Sequence, residues 1–177
     1  NFIGATAASV NTASIAGVTS VVLDNLTTGA ATAKIGSTAA LTLSNNTKAN
    51  ITGAITVDNG TAATATLVLS KFNDNAKTID FNGASNLVKT LTIQSTGGAN
   101  VASIANTGAA ITKLVVTGDT TLNTSAAALA AGIVTVDASA QTAGGLNVLL
   151  GGGNTTVTGG AGNDRFAFAA TQFDAND

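Results

Sequence analysis

Apolar side chains spaced two residues apart mark a series of short, half-buried strands along the chain. They lie in "TSVVLDN" (19–25), "ALTLSNN" (40–46), "ITGAITVDNG" (51–60), "ATLVLS" (65–70), "KTLTIQS" (89–95), "TKLVVTG" (112–118) and "GIVTVDAS" (132–139). Pairs such as Leu91/Ile93, Leu114/Val116 and Val134/Val136 share one face of an extended backbone, because alternate side chains of a strand point the same way. Leu91, Leu114 and Val134 recur at intervals of roughly 20 to 25 residues, the range of one supersecondary unit stacked repeatedly. The pattern predicts an all-β fold, a parallel β-solenoid or β-roll. A β-sandwich is the alternative, since its strands also recur between polar turns. It lacks an aromatic anchor here, and "DNG" (58–60) is the one hairpin-like turn. A helical signal is confined to "NTSAAALAAG" (123–132), where an Asn or Thr cap and a closing Gly predict one or two turns at most.

Toward the end the period tightens. Val148, Val157 and Phe166 follow a nine-residue frame, each a few residues after a Gly-containing stretch. The last of these stretches, "GGAGNDRFA" (159–167), fits G-G-x-G-x-D-x-U-x, with U a large apolar residue, the nonapeptide of calcium β-rolls. Glycines at Gly159, Gly160 and Gly162 are expected to admit positive φ and a tight turn. The carbonyls of Gly159, Gly160, Ala161 and Gly162 and the carboxylate of Asp164 are then the candidate metal ligands, while Phe166 returns to the core. Calcium takes six to eight oxygens, more than one turn offers, so two turns on one edge must share the ion. In a roll of nine-residue halves the partner turn lies two units away. Upstream this is "QTAGGL" (141–146), with Leu146 at the acid position; downstream it is 177–182, past the last residue of the sequence. The intervening unit "LGGGNTTVT" (150–158) has Thr155 at that position. Only one complete half-site is therefore expected, and full coordination calls for residues outside this sequence or a neighbouring molecule. Asp137 falls in the same frame, but a turn-forming or capping role is the expectation there, as it is for Asp24, Asp58 and Asp119.

Composition narrows the chemistry. The 177 residues fit one domain or a segment of something longer, and the chain reads as a piece of a longer protein: a single solenoid over 1–177, with irregular β repeats over 1–110 and the nonapeptide region over 111–177. Hydrophobic residues make up 45%, mostly Ala, Val, Leu and Ile, with Phe as the sole aromatic. Many small contacts of this kind suit stacked layers. The longest low-polarity run, "AAALAAGIV" (126–134), is far shorter than the roughly 20 residues of a bilayer span. Only 9% of residues are charged, and the seven basic ones are scattered singly, so no basic stripe exists for nucleic acid. Every acid is Asp, the short acid that favours turns and binds calcium compactly. With no His or Cys, the usual general bases, thiolate nucleophiles and zinc sites are excluded, and disulfides with them. No phosphate-binding loop occurs, and the acids are not clustered in sequence as a glycosidase would need. No enzymatic role is expected. Tripeptides of the N-x-[ST] kind are numerous in so Asn- and Thr-rich a chain and are given no role. Weak charge, abundant Thr, Asn, Gly and Ala, and the avoidance of Cys and Met point to an exported bacterial surface protein.

The run "TVTGGAGNDRFAF" (156–168), preceded by "IVTVDASAQTAGGLNVLLGGG" (133–153), resembles the carboxy-terminal parts of RTX-type surface-layer proteins of Gram-negative bacteria. The likeness spans about 114–174 and is compositional before that. It implies a calcium-stabilised β-solenoid, type I secretion, and self-assembly into a two-dimensional lattice on the cell surface. It also implies an outer-surface partner, lipopolysaccharide, engaged by parts outside this sequence. Only 159–164 match the family's calcium turn; Leu146 and Thr155 depart from it. The alternative function is the stalk or ligand-binding passenger of a large RTX-type adhesin, presenting a flat Thr/Asn face.

Overall fold

A computed structural model describes residues 2–3, 8–26, 31–36, 38–45, 54–82, 87–107 and 110–168. Residues 51–53 of the third expected strand, and Asp174 and Asp177, lie outside them. The described residues form sixteen strands and no helix. The odd-numbered strands build sheet A: β1 (Phe2–Ile3), β3 (Ser20–Asp24), β5 (Ala40–Ser44), β7 (Thr64–Ser70), β9 (Thr90–Thr96), β11 (Lys113–Gly118), β13 (Thr135–Gln141) and β15 (Thr156–Thr158). The even-numbered strands build sheet B: β2 (Ala8–Asn11), β4 (Ala31–Lys34), β6 (Ile55–Asp58), β8 (Asn73–Phe81), β10 (Asn100–Ala105), β12 (Leu122–Asn123), β14 (Leu146–Leu150) and β16 (Arg165–Phe168). Each strand pairs in parallel with the one two places on, so the chain winds between two sheets as a parallel β-solenoid.

Alternation decides which side chains face inward. In β5 the burial pattern puts Leu41 and Leu43 inside and Thr42 outside. Register then stacks like on like. One inner column runs Val21, Leu41, Leu67, Ile93, Val116, and another runs Ala65, Leu91, Leu114, Val136, Val157. In sheet B, Ala31, Ile55, Ile79 and Ile104 stack likewise. Burying a Leu, Ile or Val side chain contributes about 1.5–3 kcal/mol, so these columns hold the coils together. Parallel register also stacks charges: Lys34 pairs with Asp58 on the next coil, Nζ to carboxylate 3.8 Å.

A third inner column changes character midway. It begins Leu23, Leu43, Leu69 and continues Ser95, Gly118, Gln141. Around Ser95 the interior carries a polar lattice. Asn100 is fully buried; its Oδ1 accepts the Phe72 N–H at 2.8 Å, and its Nδ2 donates to Ser95 Oγ, Thr96 O and Gly98 O. Gln141 Nε2 donates to Thr120 O at 2.8 Å, one coil further on. These amides satisfy the backbone of a corner that aliphatic side chains would leave unpaired.

Three expectations need correction. The stretch 123–132 forms turns rather than a helix: Asn123 Oδ1 accepts the N–H and hydroxyl of Ser125 in a side-chain turn, and Leu129 plugs the core with its N–H on Leu149 O. A hydrogen bond of Asn to its own turn competes directly with helical bonding. Leu114 pairs with Val136 and not with Val134, which sits before the strand and is 43% exposed. Glycines Gly159, Gly160 and Gly162 do not have positive φ.

Candidate functional site

Coil length contracts toward the nonapeptides. The sequence distance between stacked partners shrinks from Leu67 and Ile93, through Leu91 and Leu114, to Val148 and Phe166. The last coil is two nine-residue halves: Val148 and Phe166 face each other in sheet B, with Val157 between them in sequence on sheet A. The turn that closes it, 159–164, lies over 141–145 of the preceding coil, where Ala161 N–H donates to Gln141 O at 3.1 Å.

Close approach, rather than left-handed backbone, explains glycine here. A methyl group at Gly162 would overlap the Gly144 carbonyl, and one at Gly160 would sit 2.8 Å from Ala138 O. The turns of successive coils touch backbone to backbone, and a side chain at either position would hold them apart.

Asp164 is half-buried inside this corner. Its Oδ1 accepts the Leu146 N–H at 2.8 Å, and its Oδ2 accepts the Gly160 N–H at 2.9 Å. One oxygen thus reaches back two nonapeptides to the coil below and the other closes its own turn. Leu146, which stands where a second acid would be, contributes its amide to the first acid and its side chain to the core. Beside it, Thr121, Gly144, Gly145, Asn147, Gly162 and Asn163 line an open groove of about 390 Å³. Arg165 caps the rim, donating to Asn147 Oδ1 at 3.2 Å. The groove offers carbonyl, amide and hydroxyl oxygens but no carboxylate.

By residue type 159–162 offer carbonyls and Asp164 a carboxylate, one side of a calcium shell at most, but both Asp164 oxygens already accept backbone N–H groups and the facing turn adds only backbone and Asn or Thr oxygens. Among the described residues no group of three or more Asp gathers at one place. Asp24, Asp58 and Asp137 are tied into local structure. Asp137 Oδ1 accepts the N–H and hydroxyl of Ser139, and its carboxylate lies 3.3 Å from Lys113 Nζ, beside the bulge where β11 and β13 shift register. The Ser139 hydrogen bonds, with Lys113 helping, hold its pKa below the ordinary Asp range. Asp24 Oδ1 accepts Ser44 Oγ at 2.7 Å and Asn45 Nδ2 at 2.8 Å, which lowers its pKa likewise. Asp58 Oδ1 closes a turn on the Gly60 N–H. The capping of Leu146 by Asp164 had no signal in the sequence beyond the offset of two nonapeptides.

Fold and corner together define a two-sheet parallel β-solenoid whose last described coil is built from nonapeptides. Compared with known proteins, the chain matches no family model, no curated protein and no solved structure.

Proposed function

We propose that this chain is a structural, self-assembling segment of a secreted bacterial surface layer, located outside the cell. The observation that supports it most is the final coil of two nonapeptides, Val148 over Phe166, closed by the corner that Asp164 ties to the coil below. A rod of stacked coils with few charges suits repeated side-by-side packing, and no catalytic role belongs to this reading. Its partner is another copy of itself, with attachment to the outer surface, through lipopolysaccharide, left to other parts of the protein.

Calcium enters this reading at one place. The carbonyls of Gly159, Gly160, Ala161 and Gly162 and the carboxylate of Asp164 would hold one side of the ion, which supplies charge neutralisation and turn order when bound. The chain's own residues already close the corner through the Leu146 and Gly160 amides. Titration with calcium and then chelator, followed by circular dichroism and particle size, tests the reading in the chain and in Asp164→Ala. Ordering and growth into sheets that require calcium and fail in the variant support both halves. Sheets that form without calcium support assembly alone. If neither signal responds and the particles stay small, the surface-layer reading fails.

The adhesin stalk is the second reading. One observation favours it: Thr64 and Thr66 on β7 stand in register with Thr90 and Thr92 on β9, a flat hydroxyl patch on the outer face of sheet A.

A further inference from the structure

One buried carboxamide lies next to a glycine without any polar company. Asn59 follows β6, where the inward alternation of Ile55 and Val57 carries it into the core at 1% exposure, one step past the Lys34 and Asp58 pair. Neither its Oδ1 nor its Nδ2 has a hydrogen-bond partner among the described residues. The backbone around it is held: the Asn59 carbonyl accepts the Ala62 N–H at 3.3 Å, and Ile35 N–H, on the coil below, donates to Asp58 O at 2.9 Å. A buried amide with its side-chain hydrogen bonds unmade is costly, and a fold that keeps one calls for a reason.

The flanking residues supply one. Gly60 has a left-handed φ of 59°, and no atom stands within 4 Å of the place its Cβ would take, so nothing crowds this residue if its backbone tilts. Its N–H donates to Asp58 Oδ1 at 2.8 Å, while Asp58 Oδ2 lies 3.8 Å from Lys34 Nζ. Three groups thus meet along three consecutive residues: a carboxylate in contact with a backbone N–H, the nitrogen that carries this proton, and between them a carboxamide carbon that no hydrogen bond restrains. Attack of a backbone nitrogen on the side-chain carbonyl of the preceding Asn closes a five-membered ring. Glycine, with no Cβ, hinders that closure least.

We infer that Asn59 and Gly60 are a self-modifying site that closes to a succinimide in the folded chain, with Asp58 as the general base. The Gly60 nitrogen bonds to Asn59 Cγ and gives up its proton to Asp58 Oδ1. The Cγ–Nδ2 bond breaks, and the amide nitrogen leaves with one added proton as ammonia, so the step needs no oxidant, reductant or co-reactant. A carboxylate already touching the proton that has to move is the arrangement general-base catalysis requires. Ring closure removes both unpaired N–H donors of the carboxamide from the core, and burial keeps water from reopening the ring. The product is a rigid corner between β6 and β7 with its charge unchanged. This inference is independent of the surface-layer reading and of calcium.

Peptide mass spectrometry of the full chain, incubated at neutral pH in native buffer and in urea, tests it. Trypsin places Asn59 on the peptide 49–71 and the other Asn-Gly pair, at 82–83, on 78–89, where the exposed Asn82 serves as the comparison. The peptide 49–71 is expected to lose the mass of one ammonia, with fragment ions locating the loss at Asn59, and to keep that loss. The reaction should run faster in the folded chain than in urea, where the Asp58 contact is gone, whereas 78–89 should gain no such advantage from folding. Asp58→Asn keeps an oxygen for the Gly60 N–H but removes the base, and should slow the folded-state reaction about a hundredfold. The comparison with urea needs no variant and so does not depend on how that one folds. No loss of ammonia at Asn59, a loss faster in urea than in the folded chain, the aspartate mass in place of the imide in the folded chain, or an unchanged rate in Asp58→Asn would each overturn the proposal.

Discussion

At the scale of single residues, backbone contact is the constraint that matters most at the Gly-rich corner. Gly162→Ala would push its methyl into the Gly144 carbonyl, and neither backbone can swing aside as a side chain can. The expected cost is about 1–3 kcal/mol, as for other overpacked positions, read as a lower urea midpoint for the signal of the last coils. Acid should act through different residues. Asp24 and Asp137 both have folded-state pKa values below their unfolded ones, because hydroxyl and amide donors hold the charged form. Their contribution is therefore present above the unfolded Asp value, about 3.9, and is lost as pH falls through the lower folded values. Thermal stability should be flat from neutral pH down to about 4 and decline below it. In the Asp24→Asn and Asp137→Asn double variant that decline should be shallower, and an unchanged slope would show that these two carboxylates are not responsible.

Among the elements, sheet A was readable in the sequence and sheet B largely was not. Six of the seven strands expected from alternation belong to sheet A, and only Ile55–Asp58 belongs to sheet B. The cause is what fills the inner positions. Sheet A points mainly Leu, Ile and Val inward, whereas sheet B mixes Ile55, Ile79 and Val148 with Ala31, Ala33 and Ala102 and the buried polar residues Asp74 and Asn100, so its period-two signal is fainter. The candidate corner was legible for the opposite reason: glycine and Asp at fixed spacing stand out, and the two-unit offset to 141–146 could be counted. The role of Asp164 toward Leu146 could not, because it depends on the amide direction in the coil below. Asn100 is the clearest element-level test. Asn100→Ala would strand the Phe72 N–H in the interior, a loss of about 1–3 kcal/mol, and hydrogen exchange should accelerate at Phe72 and Val101. Full protection at both amides would mean the lattice around Ser95 is dispensable.

For the whole molecule, coils touch mainly their neighbours, so stability is close to a sum of coil terms and interfaces. Ile93→Ala, a core truncation costing about 2–5 kcal/mol, should loosen the coils around β7, β9 and β11 while amides in β14 keep their protection. Uniform loss of protection from end to end would instead show a single cooperative unit. The direction of the hydrogen bonds has a mechanical counterpart. Every ladder bond between coils lies along the solenoid axis, since each strand pairs only with the strands above and below it. Tension along that axis loads the rungs at one junction at a time and peels coils off in sequence at modest force. Tension along the strands must slide whole coils past one another, straining many rungs and every aliphatic column together. Such a rod is soft lengthwise and tough across, which favours an array that bears its load in the plane of the strands.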